Sequence, residues 1–331
     1  QYHLDTELFL ALVIGPLLFR EAQESDITSI LKHWRIVLYL IFPVIFISAL
    51  SMGGLAHVLW ASLPLTACVA VGAALGPTDL VAFASLSERF IFPKRVSNIL
   101  KGEGLLNDAS GLVAFRMALI AWTTGTFSLT QAGTSLAISI VGGFAVGFIT
   151  ALINRFLHTF LLSVRATDIA SELLLELSLP LLTFFIAEEI HVSGIIAVVV
   201  AGILKASRFK KINLLEAQVD TVTETVWQTV TFMLNGSVFV ILGMELEMIA
   251  EPILKSAFYN KVLLLLSVFL LTFLLFAIRF VMIYGFYAFR IKKLHKSLDK
   301  YVKDMLLLTF SGVKGTVSIA TILLIPSNLE Q

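Results

Sequence analysis

Cysteine is all but missing from this chain: Cys68 is alone among 331 residues. A single thiol excludes a disulfide framework and a multi-cysteine metal site, and leaves the compartment open. Charge is scarce too, at 14% against the ~25% of an average chain. It is also balanced, with 24 Lys and Arg against 23 Asp and Glu. A net charge of +1 gives no general attraction to polyanions, so a nucleic-acid module is excluded, and so few charges exclude a disordered chain. No signal-peptide pattern is visible. The chain opens at Gln1 rather than Met and stops at Gln331 just after an apolar run, so both ends are expected to be trimmed, with further helices on either side. What the sequence has in abundance is apolar side chain, 58% of residues, with a mean hydropathy of +0.92. A water-soluble fold cannot bury that much and still cover its surface. The composition is that of an all-α polytopic membrane protein.

Apolar runs fall at 4–19, 36–53, 63–86, 104–123, 135–154, 171–187, 192–204, 228–244, 262–289 and 305–326. A hydrocarbon core of ~30 Å takes about 20 helical residues, and most of these runs qualify. They are continuous rather than alternating, which excludes a β-barrel. The loops after odd-numbered runs carry 19 Lys and Arg, and those after even-numbered runs carry 2. The positive-inside rule therefore puts the odd loops in the cytoplasm and residue 1 outside. The basic run from Arg290 to Lys303 reads as an interfacial amphipathic stretch beside anionic lipid, and residues 205–227 as a cytoplasmic surface helix.

Few charges remain inside the runs: Arg116, Arg279 and Lys314 among bases, Asp79, Asp108, Glu172 and Glu176 among acids, with Glu103 at an edge. Each costs about 2.5–3.5 kcal/mol at mid-bilayer, so such residues usually have a function. Arg279 is expected to meet an acid of a neighbouring helix. Glu172 and Glu176, one turn apart at a helix start, read as solvated carboxylates, with proton entry or pH sensing as the alternative.

Two runs carry their own interruptions. Gly76-Pro77-Thr78-Asp79 in the third run weakens the helix and removes a backbone donor, so unwound backbone is expected there. Gly312-Val313-Lys314-Gly315 in the tenth run sits at similar depth, in a helix of opposite sense. Two broken helices of opposite direction point to an inverted-repeat transporter with two interrupted crossing helices. Asp79 would offset positive half-helix N-termini, and Lys314 negative C-termini. A proline kink with a snorkelling lysine is the plainer alternative. In the fourth run Gly104 and Gly111 share the helix face of Asp108, leaving room for an ion or water. Asn107, Thr78, Asp79 and freed carbonyls add oxygen, the ligand type of a hard cation, and no His/Cys cluster suggests a transition metal. The alternative is a buried Asp108 paired with a structural base such as Arg116, which lies on a different face of that helix.

Gly76-Pro77-Thr78-Asp79 followed by Gly102-Glu103-Gly104-Leu105-Leu106-Asn107-Asp108 resembles the NhaP-type sodium/proton antiporters, in the first family of monovalent cation:proton antiporters. Further similarity lies at Ala187-Glu188, at His191 to Ala197, at Leu234-Asn235-Gly236 and at Gly312 to Ser318. The resemblance implies a homodimer of thirteen-helix protomers in a bacterial-type plasma membrane, the ten runs being the third to twelfth helices. It implies a dimerisation domain (1–35 and 166–260), a linking helix (131–165) and a moving core (36–130 and 261–331). It further implies that Asp108 carries either the cation or a proton, with Asn107 beside it and Thr78 and Asp79 as further parts of the ion site. The chain departs from the family at Gly104, where a serine is usual, and at Glu21, displaced by one position from the family acid. It departs again at Lys314, offered where an arginine normally pairs with the glutamate, so Glu103 and Lys314 are expected to form a structural charge pair.

The function read from these residues is alternating-access exchange of Na⁺ or Li⁺ for H⁺, electroneutral because an asparagine precedes the single carrier carboxylate. No cofactor is expected beyond the transported ions, and no partner beyond lipid and a second copy. Alternatives are K⁺/H⁺ exchange on the same scaffold, and a channel or pH-sensing membrane protein. An enzyme is not expected, since Ser110 has no histidine beside it and no activated nucleophile or metal cluster is present.

Overall fold

The computed structural model describes residues 6–79, 90–125, 129–164, 169–206, 214–255, 261–294 and 299–312, with Ala82, Phe83 and Ser87; of some helical positions, Asp108 and the stretches 214–220, 245–255 and 291–294 among them, only the backbone is described. Every extended element among these residues is helical. In chain order they are α1 (Thr6–Phe9), a π-helical turn (Leu10–Ile14), α2 (Gly15–Glu24), α3 (Ile27–Leu31), α4 (Trp34–Tyr39), a second π-helical turn (Leu40–Val44), α5 (Ile45–Leu59) and α6 (Leu65–Ala74). There follow α7 (Lys94–Thr124), α8 (Leu129–Ser163), α9 (Ile169–Glu189), α10 (Gly194–Ala206), α11 (Leu214–Lys255), α12 (Lys261–Leu294) and α13 (Asp299–Phe310). Backbone groups in lipid must be satisfied within their own segment, and helices do this.

Five spans among the described residues are long and apolar enough to cross a membrane: Trp34–Leu59, Lys94–Thr124, Gly133–Leu161, Ile169–Glu189 and Lys261–Arg290. Leu65–Ala74 and Gly194–Ala206 are shorter apolar helices on the third and seventh runs. The separate surface helix expected over 205–227 is corrected by α11, which continues from Leu214 through the apolar run 228–244 to Lys255. No proline precedes Pro252 to stop it. Residues 207–213 lie outside the described residues.

The chain divides into two compact units, one of residues 1–25 and 130–239, the other of 26–129 and 240–331. In the first, glycines let backbones approach closely. A Cβ on Gly147 would stand 2.2 Å from the Ala197 carbonyl oxygen, and one on Gly202 2.6 Å from that of Phe19. α9 ends with His191 at φ 58, a left-handed cap in which the His191 and Val192 amides return to the Glu188 and Ala187 carbonyls. The Glu188 carboxylate accepts from the Gly194 amide at 3.1 Å, a structural role at the start of α10.

In the second unit α5 and α6 pack through Gly53 and Gly72. A Cβ on Gly72 would lie 2.5 Å from the Ala49 carbonyl oxygen. Small side chains continue inward as a core of Ala49, Ala70, Ala73, Ala74, Ala114 and Ala118 around Phe115. This close packing draws α6 and α7 together, and the candidate site is built where they meet.

Candidate functional site

α6 stops at Ala74, Leu75 to Pro77 turn, and Thr78 and Asp79 have no regular structure. The cause is local, since Gly76 disfavours the helix and Pro77 cannot donate to it. Thr78 and Asp79 are nonetheless buried. Asp79 Oδ1 accepts from the Ala82 amide at 3.1 Å, as a helix-capping carboxylate does.

α7 runs unbroken beneath this gap and presents Asn107 to it. The Asn107 amide nitrogen donates to Thr78 Oγ1 at 2.5 Å and to the Thr78 carbonyl oxygen at 3.0 Å. The amide nitrogen thereby holds both the side chain and the backbone of Thr78 in the unwound segment. The Asn107 side chain is wholly buried, and its Oδ1 has no hydrogen-bond partner among the described residues. A buried carbonyl oxygen without a donor is uncommon and points to a missing partner. Asp108 follows on the same turn of α7, and its side chain lies outside the described residues. The room expected at Gly111 is not free. Pro77 fills it, for a Cβ on Gly111 would stand 2.1 Å from Pro77 Cγ. Arg116, the structural base weighed as an alternative partner of Asp108, is exposed.

Glu103, one turn before Asn107, is held by Arg279 of α12. Arg279 Nη1 lies 2.6 Å from Glu103 Oε1 and Nη2 2.7 Å from Oε2, a bidentate fork with both side chains buried. The partner seen on Glu103 is thus a guanidinium, whose fork matches both carboxylate oxygens, and the expected pairing of Glu103 with Lys314 falls on a residue not described. Lys314 lies outside the described residues. Arg279 also donates from Nε to the Leu308 carbonyl oxygen at 3.0 Å. Leu308 is in the last turn of α13, where carbonyls lack helical partners, so Arg279 supplies the cation that such a terminus favours. α13 ends at Phe310, and Gly312 follows against the guanidinium, where a Cβ would stand 2.6 Å from Arg279 Nε. Composition flagged Arg279 as an arginine inside an apolar run. The acid it meets lies 176 residues away, beyond any local pattern.

The first unit holds a second set of buried charges. Glu172 and Glu176 are not the solvated carboxylates expected, since both are buried and paired. His158 Nε2 lies 2.9 Å from Glu172 Oε1, and Lys205 Nζ 2.8 Å from Glu176 Oε2. Gln23 donates to Glu176 at 2.6 Å and Lys205 to Asn154 Oδ1 at 2.9 Å. Asn154 and His158 are one turn apart on α8, Glu172 and Glu176 one turn apart on α9, so the pairs meet as rungs between helices. Burial then replaces hydration by partners, which a buried charge requires.

Among the described residues no group of three or more His, Cys, Asp or Glu is gathered. The uncharged oxygens at the break belong to Thr78 and Asn107, ligands suited to a hard cation. A family model described as sodium/hydrogen exchanger, transmembrane, matches residues 2–330. A sodium, potassium, lithium and rubidium/H(+) antiporter of Bacillus pumilus is 34% identical over 328 residues, 98% of this chain and 49% of that protein. The protein of the same name from Bacillus subtilis is 34% identical over 332 residues, covering 99% and 49%. The chain thus spans about half the length of the curated relatives it matches. The solved sodium proton antiporter MjNhaP1 of Methanocaldococcus jannaschii at pH 8 superposes with a TM-score of 0.60 at 17% identity, over 94% of this chain and 71% of that one. At this identity the likeness speaks to fold alone, an all-α inverted-repeat membrane fold.

Proposed function

Because this chain belongs to the sodium/hydrogen exchanger family, we propose that it exchanges Na⁺ or Li⁺ for H⁺ by alternating access, with Asp108 as the carrier. The observation that carries this reading is the Asn107 clamp. It holds the unwound Thr78 segment and leaves a buried carbonyl oxygen with no partner among the described residues, beside the carrier position. A dehydrated monovalent cation fits that need. Thr78 and Asp79 complete the ion site, and Asp79 also caps the turn after the break. A cation and a proton compete for one carboxylate, so apparent cation affinity falls as pH drops. The unit containing residues 26–129 is read as part of the moving core. A dimerisation surface on the 1–35 and 166–260 segments would join two copies.

K⁺/H⁺ exchange is the second reading, favoured by the names of the Bacillus relatives, which include potassium and rubidium. Proteoliposomes with an imposed pH gradient test both. Na⁺ or Li⁺ is expected to dissipate the gradient, Asp108→Asn to abolish the response, and a clamped membrane potential to leave the rate nearly unchanged. A response to K⁺ alone selects the second reading. Substantial exchange by Asp108→Asn removes the carrier assignment, and strong voltage dependence removes electroneutrality.

A further inference from the structure

Three irregularities of the second unit converge on one turn of α7. The first is the break at Gly76 to Asp79, touched by Asn107 through Thr78 and by Gly111 through Pro77. The second is the π-helical turn Leu40–Val44, which contains Pro43. Wide turns of this kind recur at functional sites. The third is a buried serine on the same turn as Asn107: Ser110 Oγ lies 2.9 Å from the Ile41 carbonyl oxygen and 2.8 Å from the Asn107 carbonyl oxygen. Ser110 is only 2% exposed, so its hydroxyl is out of reach of bulk solvent. The break also meets Ile45, the first residue of α5 directly after the π-helical turn, since a Cβ on Gly76 would stand 3.1 Å from Ile45 Cγ2.

We propose that Ser110 is a positioning residue of the ion site, clasping the Ile41 carbonyl of the π-helical turn to the α7 turn that bears Asn107 and Asp108. Resting on the exchange reading above, this assigns to Ser110 the register in which Asn107 meets Thr78. One hydroxyl proton serves two carbonyls, so Ser110 donates to one of them at a time. Donation to Asn107 is the ordinary back-bond of a helical serine. Donation to Ile41 ties α7 to a different helix, and Asn107 then ties it to the break. Neither tie requires charge, so the clasp holds whether the carrier bears a cation or a proton. The arrangement is that of an outer-shell partner, which orients ligands without touching the ion.

The test compares parent, Ser110→Ala, Ser110→Cys and Ser110→Thr as full chains in proteoliposomes, with Na⁺ and Li⁺ concentration varied. Ser110→Ala is expected to raise the apparent KM for the cation about tenfold, in the range of lost outer-shell partners, with maximal rate and melting temperature little changed. Ser110→Thr restores the hydroxyl and the parent KM. Ser110→Cys keeps the volume with a weaker donor and falls between. An unchanged KM in Ser110→Ala overturns the proposal, and so does a fall in melting temperature and rate with KM unmoved. Absence of exchange by the parent strikes the exchange reading alone. The clasp is then judged by hydrogen exchange of the 40–44 and 104–112 backbone. Ser110→Ala must accelerate it and Ser110→Thr must not, and equal protection in all variants overturns the clasp.

Discussion

Removing one partner of the Glu103–Arg279 fork leaves the other charge buried with no counterion. Such a loss typically costs about 3–5 kcal/mol, more than the pair itself contributes. Glu103→Gln and Arg279→Gln are each expected to lower the melting temperature sharply in detergent. Replacing both by apolar residues of similar volume should recover much of the loss, and a double-mutant cycle reads the difference. The same scale shows where sequence reasoning ran out. Depth in the membrane is legible, because hydropathy and loop charge mark where each run begins and ends. That Arg279 needed an acid followed from depth. Which acid depends on the rotation of α7 and α12 about their axes, and that is fixed by packing between residues far apart in the chain. Glu172 and Glu176 illustrate the same gap. Their positions at a helix start suggested water, and the approach of His158 and Lys205 decided otherwise.

Close helix contacts predict opposite outcomes for two neighbouring glycines. Gly72→Ala pushes a methyl against the Ala49 carbonyl and is expected to destabilise by about 1–3 kcal/mol, as overpacking does. Gly54 on α5 has open space around its Cβ position, so Gly54→Ala is expected to be neutral or to gain up to about 1 kcal/mol of helix propensity. Thermal melts of the two variants side by side check the contrast. The tie between α2 and α11 makes a prediction about pH. Glu224, ahead of the apolar run 228–244, is bonded to Arg20, and that hydrogen bond holds its carboxyl below the ordinary value of 4.5. A lowered folded value means the stabilisation is complete above the unfolded value and is lost as pH falls through the folded one. Glu224→Gln is therefore expected to cost the same melting temperature at pH 7 and pH 5.5, with the cost shrinking below about pH 4. Among elements, the interrupted α6 was legible because glycine and proline act locally. The continuity of α11 was not, because polar composition over 214–227 signals where water lies rather than where a helix ends. The π-helical turns were not either. Pro43 marks one of them, while Leu10–Ile14 contains no proline at all.

At the scale of the whole molecule, alternation of loop charge gives the order and direction of the runs, and the helices described follow that order. Recognition of the family came from short motifs, and the match over residues 2–330 extends it across the chain. The grouping of helices into two units was out of reach of periodicity, since α11 passes from one unit to the other within a single helix. The fork between α7 and α12 also orders events in time. Glu103 precedes Arg279 by 176 residues, a stretch that takes a ribosome roughly 10–35 s to make. Throughout that interval α7 sits in the bilayer with its acid and without its guanidinium. An unpaired charge at that depth is costly, and chains that are not stably folded are open to proteolysis. A nascent chain interrupted before Lys261 is therefore expected to be degraded faster than the same chain carrying Glu103→Gln, a difference that pulse-chase labelling would resolve. The buried fork becomes a certificate of completion, issued to α7 only when α12 has been made.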